Sequence, residues 1–163
     1  MIHVHVVQGK NIKSVVAGEN DMMTYEDYEF ECQKEIQRND RFLEIFEEDL
    51  LSASLNRNTV KKHLYNVDFY INTYLLREEP LDMEQGCIKV DMFLGYYFIH
   101  KCMWSTPGNI KTTAASIKKF YKCMHEHGYV KKEDYNLLCS ENKENMEEWQ
   151  ENCVRFNSGD FYY

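Results

Sequence analysis

Apolar residues recur at helical intervals along most of this 163-residue chain. The longest uninterrupted pattern runs from Asn56 to Glu78. Val60, Leu64, Val67, Ile71 and Tyr74 recur there at steps of four and three, which draws one apolar stripe down a helix. Asn56 stands at the N-cap position, where its side-chain oxygen can accept the free amide hydrogens of the first turn. Pro80, just beyond the pattern, stops it. Burying the five stripe residues contributes about 8–15 kcal/mol before entropy is subtracted. A helix of this kind must be covered by partners.

The rest of the chain supplies them. Residues 2–7, IHVHVV, alternate as a strand does, and residues 12–16 suit its antiparallel partner across a Gln8–Asn11 turn. Residues 17–21 read as a linker. Thr24 caps a helix that runs to about Arg38, with Glu26, Asp27 and Glu29 favouring its N-terminal end. Asn39-Asp40 reads as a break before a short second helix striped by Phe42, Leu43, Phe46 and Leu50. After the central helix, residues 81–86 read as a turn. Asp91 or a nearby residue opens a further helix over residues 92–104; with Val90, Phe93, Leu94, Tyr97, Phe98 and Cys102 it is apolar nearly all round and is expected to sit deepest. Thr106 followed by Pro107 is a helix start. Ile110, Ala114, Ile117, Tyr121 and Met124 stripe that helix, and Gly128 supplies its left-handed stop. Residues 131–157 hold one or two acidic helices with Tyr135, Leu138, Met146, Trp149 and Val154 facing inward.

The predicted fold class is therefore mainly α: a compact bundle of four to six helices with a short N-terminal β-hairpin. Residues 1–20 form the hairpin or an extended arm, 21–157 a single helical domain, and 158–163 a flexible tail. Two prolines and seven glycines suit such a fold. No apolar run approaches the ~18 residues of a membrane span. The N-terminus lacks the pattern of a signal peptide, so the expected address is cytoplasmic. The six cysteines, with no CxxC pair, agree with a reducing compartment.

Charge sharpens this picture. The net charge is -8, but residues 1–52 balance at -7, residues 53–132 at +5 and residues 133–163 at -6. An acidic head and tail flank a basic middle. On the helix that starts at Thr106, Lys111, Lys118 and Lys122 share one face, opposite the Ile117–Tyr121 side. Thr112 and Ser116 read as exposed hydroxyl donors beside them.

Residues 50–130 resemble the N-terminal, SAM-like core-binding domain of phage integrases and other tyrosine recombinases. The landmarks are Leu51-Ser52, then Asn58-Thr59 opening a long helix with Tyr65, Phe69 and Tyr74. Val90-Asp91-Met92-Phe93-Leu94 opens the next. Ser105 to Asn109 leads into Ala115-Ser116-Ile117-Lys118-Lys119-Phe120-Tyr121, closed by His127-Gly128-Tyr129-Val130. The resemblance implies a small four-helix bundle that clamps one side of a DNA duplex. It implies phosphate contacts from Thr59, Lys61 and Lys62, and from Lys111, Ser116, Lys118, Lys119 and Lys122. The alternative is that these lysines only keep a helix face soluble.

The family's catalytic apparatus has no counterpart here. Only 31 residues follow Lys132, and none of His63, His100, His125 and His127 is followed by arginine three positions on. Strand cleavage is not expected, and the chain reads as a non-catalytic module. His125 and His127 lie about 200° apart on a helix and cannot share a metal. His3 and His5 share a strand face, but no third ligand lies nearby. No phosphate loop or nucleophile elbow occurs. No metal and no cofactor are expected. The leading expectation is weak, sequence-tolerant binding of duplex DNA. The alternative is a protein-interaction or structural domain that oligomerises through the N-terminal arm and has lost DNA.

Overall fold

Thr24 begins the first helix as its sequence predicts. Its hydroxyl accepts from the Asp27 backbone N–H at 3.1 Å, and the Asp27 carboxylate accepts from the Thr24 backbone N–H at 3.2 Å. The computed structural model describes residues 22–159. The expected hairpin and the last four residues of the tail lie outside the described residues. Six helices follow in order: α1 (Tyr25–Ser52), α2 (residues 57–74), α3 (Met83–Gly86), α4 (residues 90–101), α5 (Pro107–Glu126) and α6 (Lys132–Ser158). No strand occurs among the described residues, and no helix among them is long and apolar enough to cross a membrane. The mainly helical class is borne out.

The expected break at Asn39-Asp40 does not exist. α1 runs through it for 28 residues. Asn39 is fully buried, and its side-chain N–H₂ donates to Asn72 Oδ1 at 2.7 Å. An asparagine is a poor helix former because it competes for its own backbone. Here its amide is occupied by a neighbouring helix instead. Residues 131–157 likewise form one helix, not two, with Leu138 and Trp149 buried inside and Val154 exposed. Residues 81–86 close into the short helix α3, because Asp82 and Gln85 cap it reciprocally.

Asn56 caps α2 as expected, accepting from the Thr59 backbone N–H at 2.9 Å. The predicted stripe is buried at Val60, Val67, Ile71 and Tyr74 and half-buried at Leu64. The helix ends earlier than Glu78, and its last turns widen. From Phe69 to Tyr74 the backbone is π-helical, and the Leu75 N–H donates to the Tyr70 carbonyl five residues back. α4 widens in the same way over Phe93–Tyr97. The two wide segments face each other. Ring centroids lie 4.8 Å apart for Tyr70–Phe93, 4.7 Å for Tyr74–Phe93 and 4.9 Å for Tyr74–Tyr97. The extra residue per turn lets Tyr70, Ile71, Tyr74 and Leu75 all point inward.

Thr106 caps α5 through the Asn109 N–H at 3.1 Å, Pro107 opens it, and Gly128 follows it with φ of +85°. α5 packs against α6, α2 and α1. It therefore takes the central position expected for α4, which keeps an exposed strip at Met92, Tyr96 and His100. Beyond its first turn, the exposed residues of α5 form one strip: Lys111, Thr112, Ala115, Lys118, Lys119, Lys122 and Glu126.

Candidate nucleic-acid interface

The lysines on that strip lie beside α2. A groove of about 560 Å³ runs between the two helices. Thr59, Lys61, Lys62, His63, Tyr65 and Asn66 wall it on one side, and Asn109, Thr112, Ala115 and Ser116 on the other. Lys119 belongs to the same side of α5, near enough for its charge to act on His63. On the far side of the strip, a second groove of about 490 Å³ separates α5 from α6 and is lined by Lys111, Lys118 and Lys143. Among the described residues, no carboxylate lines either groove. The periodicity that buries Val60 and Val67 of α2 and Ile110, Ile117 and Phe120 of α5 thus turns both sets of ammonium groups outward on adjoining helices.

Among the described residues, Lys61, Lys62, Lys111, Lys118 and Lys119 have no carboxylate within 4.0 Å. Lys122 has Glu126 at 4.0 Å, one turn on. The acidic groups collect elsewhere. A groove on the other flank of α2 is lined by Asp40, Glu44, Glu47 and Asp68. α2 therefore separates a basic groove from an acidic one, and the net charge of -8 describes neither.

Ser116 corrects the sequence reading. It is buried, not exposed. Its Oγ lies 2.8 Å from His63 Nδ1, accepts from Asn66 Nδ2 at 3.0 Å, and lies 3.1 Å from the Thr112 carbonyl. It ties α5 to α2 beneath the groove. Thr112 is exposed as expected, but its hydroxyl donates to its own helix at the Asn109 carbonyl, 3.2 Å away. Thr59 is half-buried at the groove's wall. His63 has its pKa lowered, by burial first and by Lys119 second. Ser116 and His63 resemble a nucleophile and its base. Among the described residues, however, no carboxylate orients His63, and the serine is covered.

Sequence reasoning missed Asn66, Asn109, Tyr65 and Lys143. Asn66 and Tyr65 follow Lys62 at helical spacing, so extending the Lys61–Lys62 face by one turn reaches them. Lys143 lies in the segment of balance -6, and only the packing of α6 against α5 shows its position. No protein-family model, curated protein or solved structure matches the chain.

Proposed function

We propose that this chain is a non-catalytic helical module that binds duplex DNA weakly and without strong sequence preference, through the face shared by α2 and α5. The observation that carries this reading is the pair of adjoining grooves lined by lysines and, among the described residues, by no carboxylate. Ammonium groups on a ridge and its two flanks suit the phosphates of a duplex backbone. Asn66 and Asn109 add neutral amides between them. Exposed Tyr65 offers its ring and hydroxyl at the groove's edge. The acidic groove on the other flank of α2 repels phosphate, so it restricts the face that DNA approaches. The likeness of residues 50–130 to integrase core-binding domains agrees with this reading and rests on the landmark residues alone.

Replacing Lys118, Lys119 and Lys122 together with Glu tests it. All three are exposed, so the melting temperature is expected to stay nearly constant. Duplex binding, followed by fluorescence anisotropy, is expected to disappear. Replacing Lys89 and Lys131, exposed elsewhere, is expected to change little. Equal losses in the two variants would mean only a general charge effect.

A second reading draws on a different observation. Met22, Met23, Tyr25 and Phe30, at and just before the start of α1, are 85%, 52%, 72% and 64% exposed. That apolar surface suits a second copy of the chain or another protein. Deleting residues 1–20 and measuring mass in solution separates the two readings. A shift from dimer to monomer with DNA binding intact assigns the arm to oligomerisation alone. Loss of DNA binding would move the interface away from α2 and α5.

A further inference from the structure

Asp49, Cys123 and His127 meet where the end of α1 packs against the end of α5. Cys123, in the last turn of α5, and His127, the residue that caps its end, lie four residues apart and so come to the same side. The Cys123 thiol donates to Asp49 Oδ2 at 3.0 Å, and His127 Nε2 lies 3.0 Å from the same oxygen. One ligand atom from each residue falls within 4.8 Å of the other two. We propose that these three side chains form a binding site for a divalent cation of the zinc class. The inference is independent of the DNA-binding reading.

The donor set selects the ion. A thiolate, an imidazole and a carboxylate suit zinc or cobalt(II) and do not suit magnesium or calcium. A tetrahedral centre with the usual bond lengths of about 2.0–2.3 Å holds its donors about 3.4–3.6 Å apart. Asp49 Oδ2 therefore needs to retreat by about half an ångström from each partner to admit the ion. The side chains of Asp49 and His127 are each 41% exposed, which leaves a side open for a water as the fourth ligand. Cys123 is buried beneath them. A bound cation would supply the charge that stabilises its thiolate. Binding exchanges the thiol proton for a metal–sulfur bond and releases that proton to solvent.

Such an ion would pin the end of α5 to α1. The four-residue step from Cys123 to His127 by itself names only two ligands. The third ligand is 74 positions from Cys123 and no local spacing signals it.

Cobalt(II), added to the reduced full-length chain, tests the site. One equivalent is expected to produce a thiolate-to-cobalt charge-transfer band and the visible bands of a tetrahedral ion. Zinc is expected to bleach both. The bands are expected to persist when Cys32 and Cys139 are both replaced with Ser. They are expected to vanish in Cys123→Ser, which keeps a donor for Asp49, and in His127→Ala, which removes a side chain that is exposed at the surface. Zinc at a hundredfold excess over its Kd is expected to raise Tm by about 5–10 °C in the wild type and in neither variant. Absence of the charge-transfer band overturns the proposal. So does a band that survives either Cys123→Ser or His127→Ala.

Discussion

Replacing Ser116 with Ala separates a phosphate contact from a structural tie. In the structure the Ser116 hydroxyl is covered and sits among three partners, at 2.8, 3.0 and 3.1 Å. Two of them, His63 and Asn66, belong to α2, so both bonds cross between helices. Each net hydrogen bond contributes about 0.5–1.5 kcal/mol. The groove above lets water reach His63 and Asn66 in part, which draws the loss toward the lower end. A cost of about 1–2 kcal/mol follows. For a chain of this size that is a fall in Tm of about 2–8 °C. Thermal unfolding by circular dichroism reads it. The same sample, titrated with duplex DNA, is expected to bind within about twofold of the wild type, with an unchanged salt slope. An unchanged Tm together with a salt slope shallower by about 0.9 would refute the reasoning and return Ser116 to the phosphates.

Gly95 lies under the Trp149 indole, whose N–H donates to Asp91 at 2.7 Å, and an added Cβ would come within 2.9 Å of Trp149 Cδ1. Gly95→Ala is therefore expected to cost about 1–3 kcal/mol and to shift the tryptophan emission; an unaltered Tm and spectrum would contradict this packing. Among the six thiols, rapid labelling of the native protein at about pH 8 is expected only at half-buried Cys32 and Cys139. Burial raises Cys87 to about 12 and Cys102 to about 11, so fast reaction at either, detected by mass spectrometry, would count against the core described here. His63 has its pKa lowered in the fold, so the unfolded chain takes the proton more readily and stability is lost as pH falls below about 6.5. His63→Gln is expected to flatten the dependence of Tm on pH in that window, and an unchanged slope would show that His63 does not cause it. The Asp49 carboxylate is held below its ordinary pKa, chiefly by the Cys123 hydrogen bond. Its contribution is therefore present above the usual carboxylate range and lost as pH falls through its lowered value, which Asp49→Asn is expected to abolish in an acid titration of Tm.

Caps and stripes were legible because their physics is local. Thr24, Asn56, Thr106 and Gly128 each satisfy helix ends within a few residues of themselves, and a sequence shows that directly. Val60 and Ile117 are buried because a period of 3.6 leaves them no other face. What sequence reading lost depends on partners far along the chain. Asn39 looks like a helix breaker until Asn72, 33 positions away, takes its amide. The widened turns of α2 and α4 arise where two aromatic clusters meet, and neither helix alone shows why its backbone expands. The lysine face was readable on each helix. That α2 lies beside α5, leaving Ser116 beneath the groove and Lys143 across the next one, was not. The charge segregation survives in a finer form than the three-segment balance suggested, with basic and acidic grooves on opposite flanks of one helix.

The most direct test of the account is the affinity of the full chain for a short DNA duplex, measured as a function of salt. Five lysines without carboxylate partners on the α2–α5 face lead to a log–log slope of about −4 to −4.5. Affinity is then expected to fall about 250- to 500-fold between about 50 and 200 mM salt. A flat response, or no binding by micromolar protein at low salt, would contradict it.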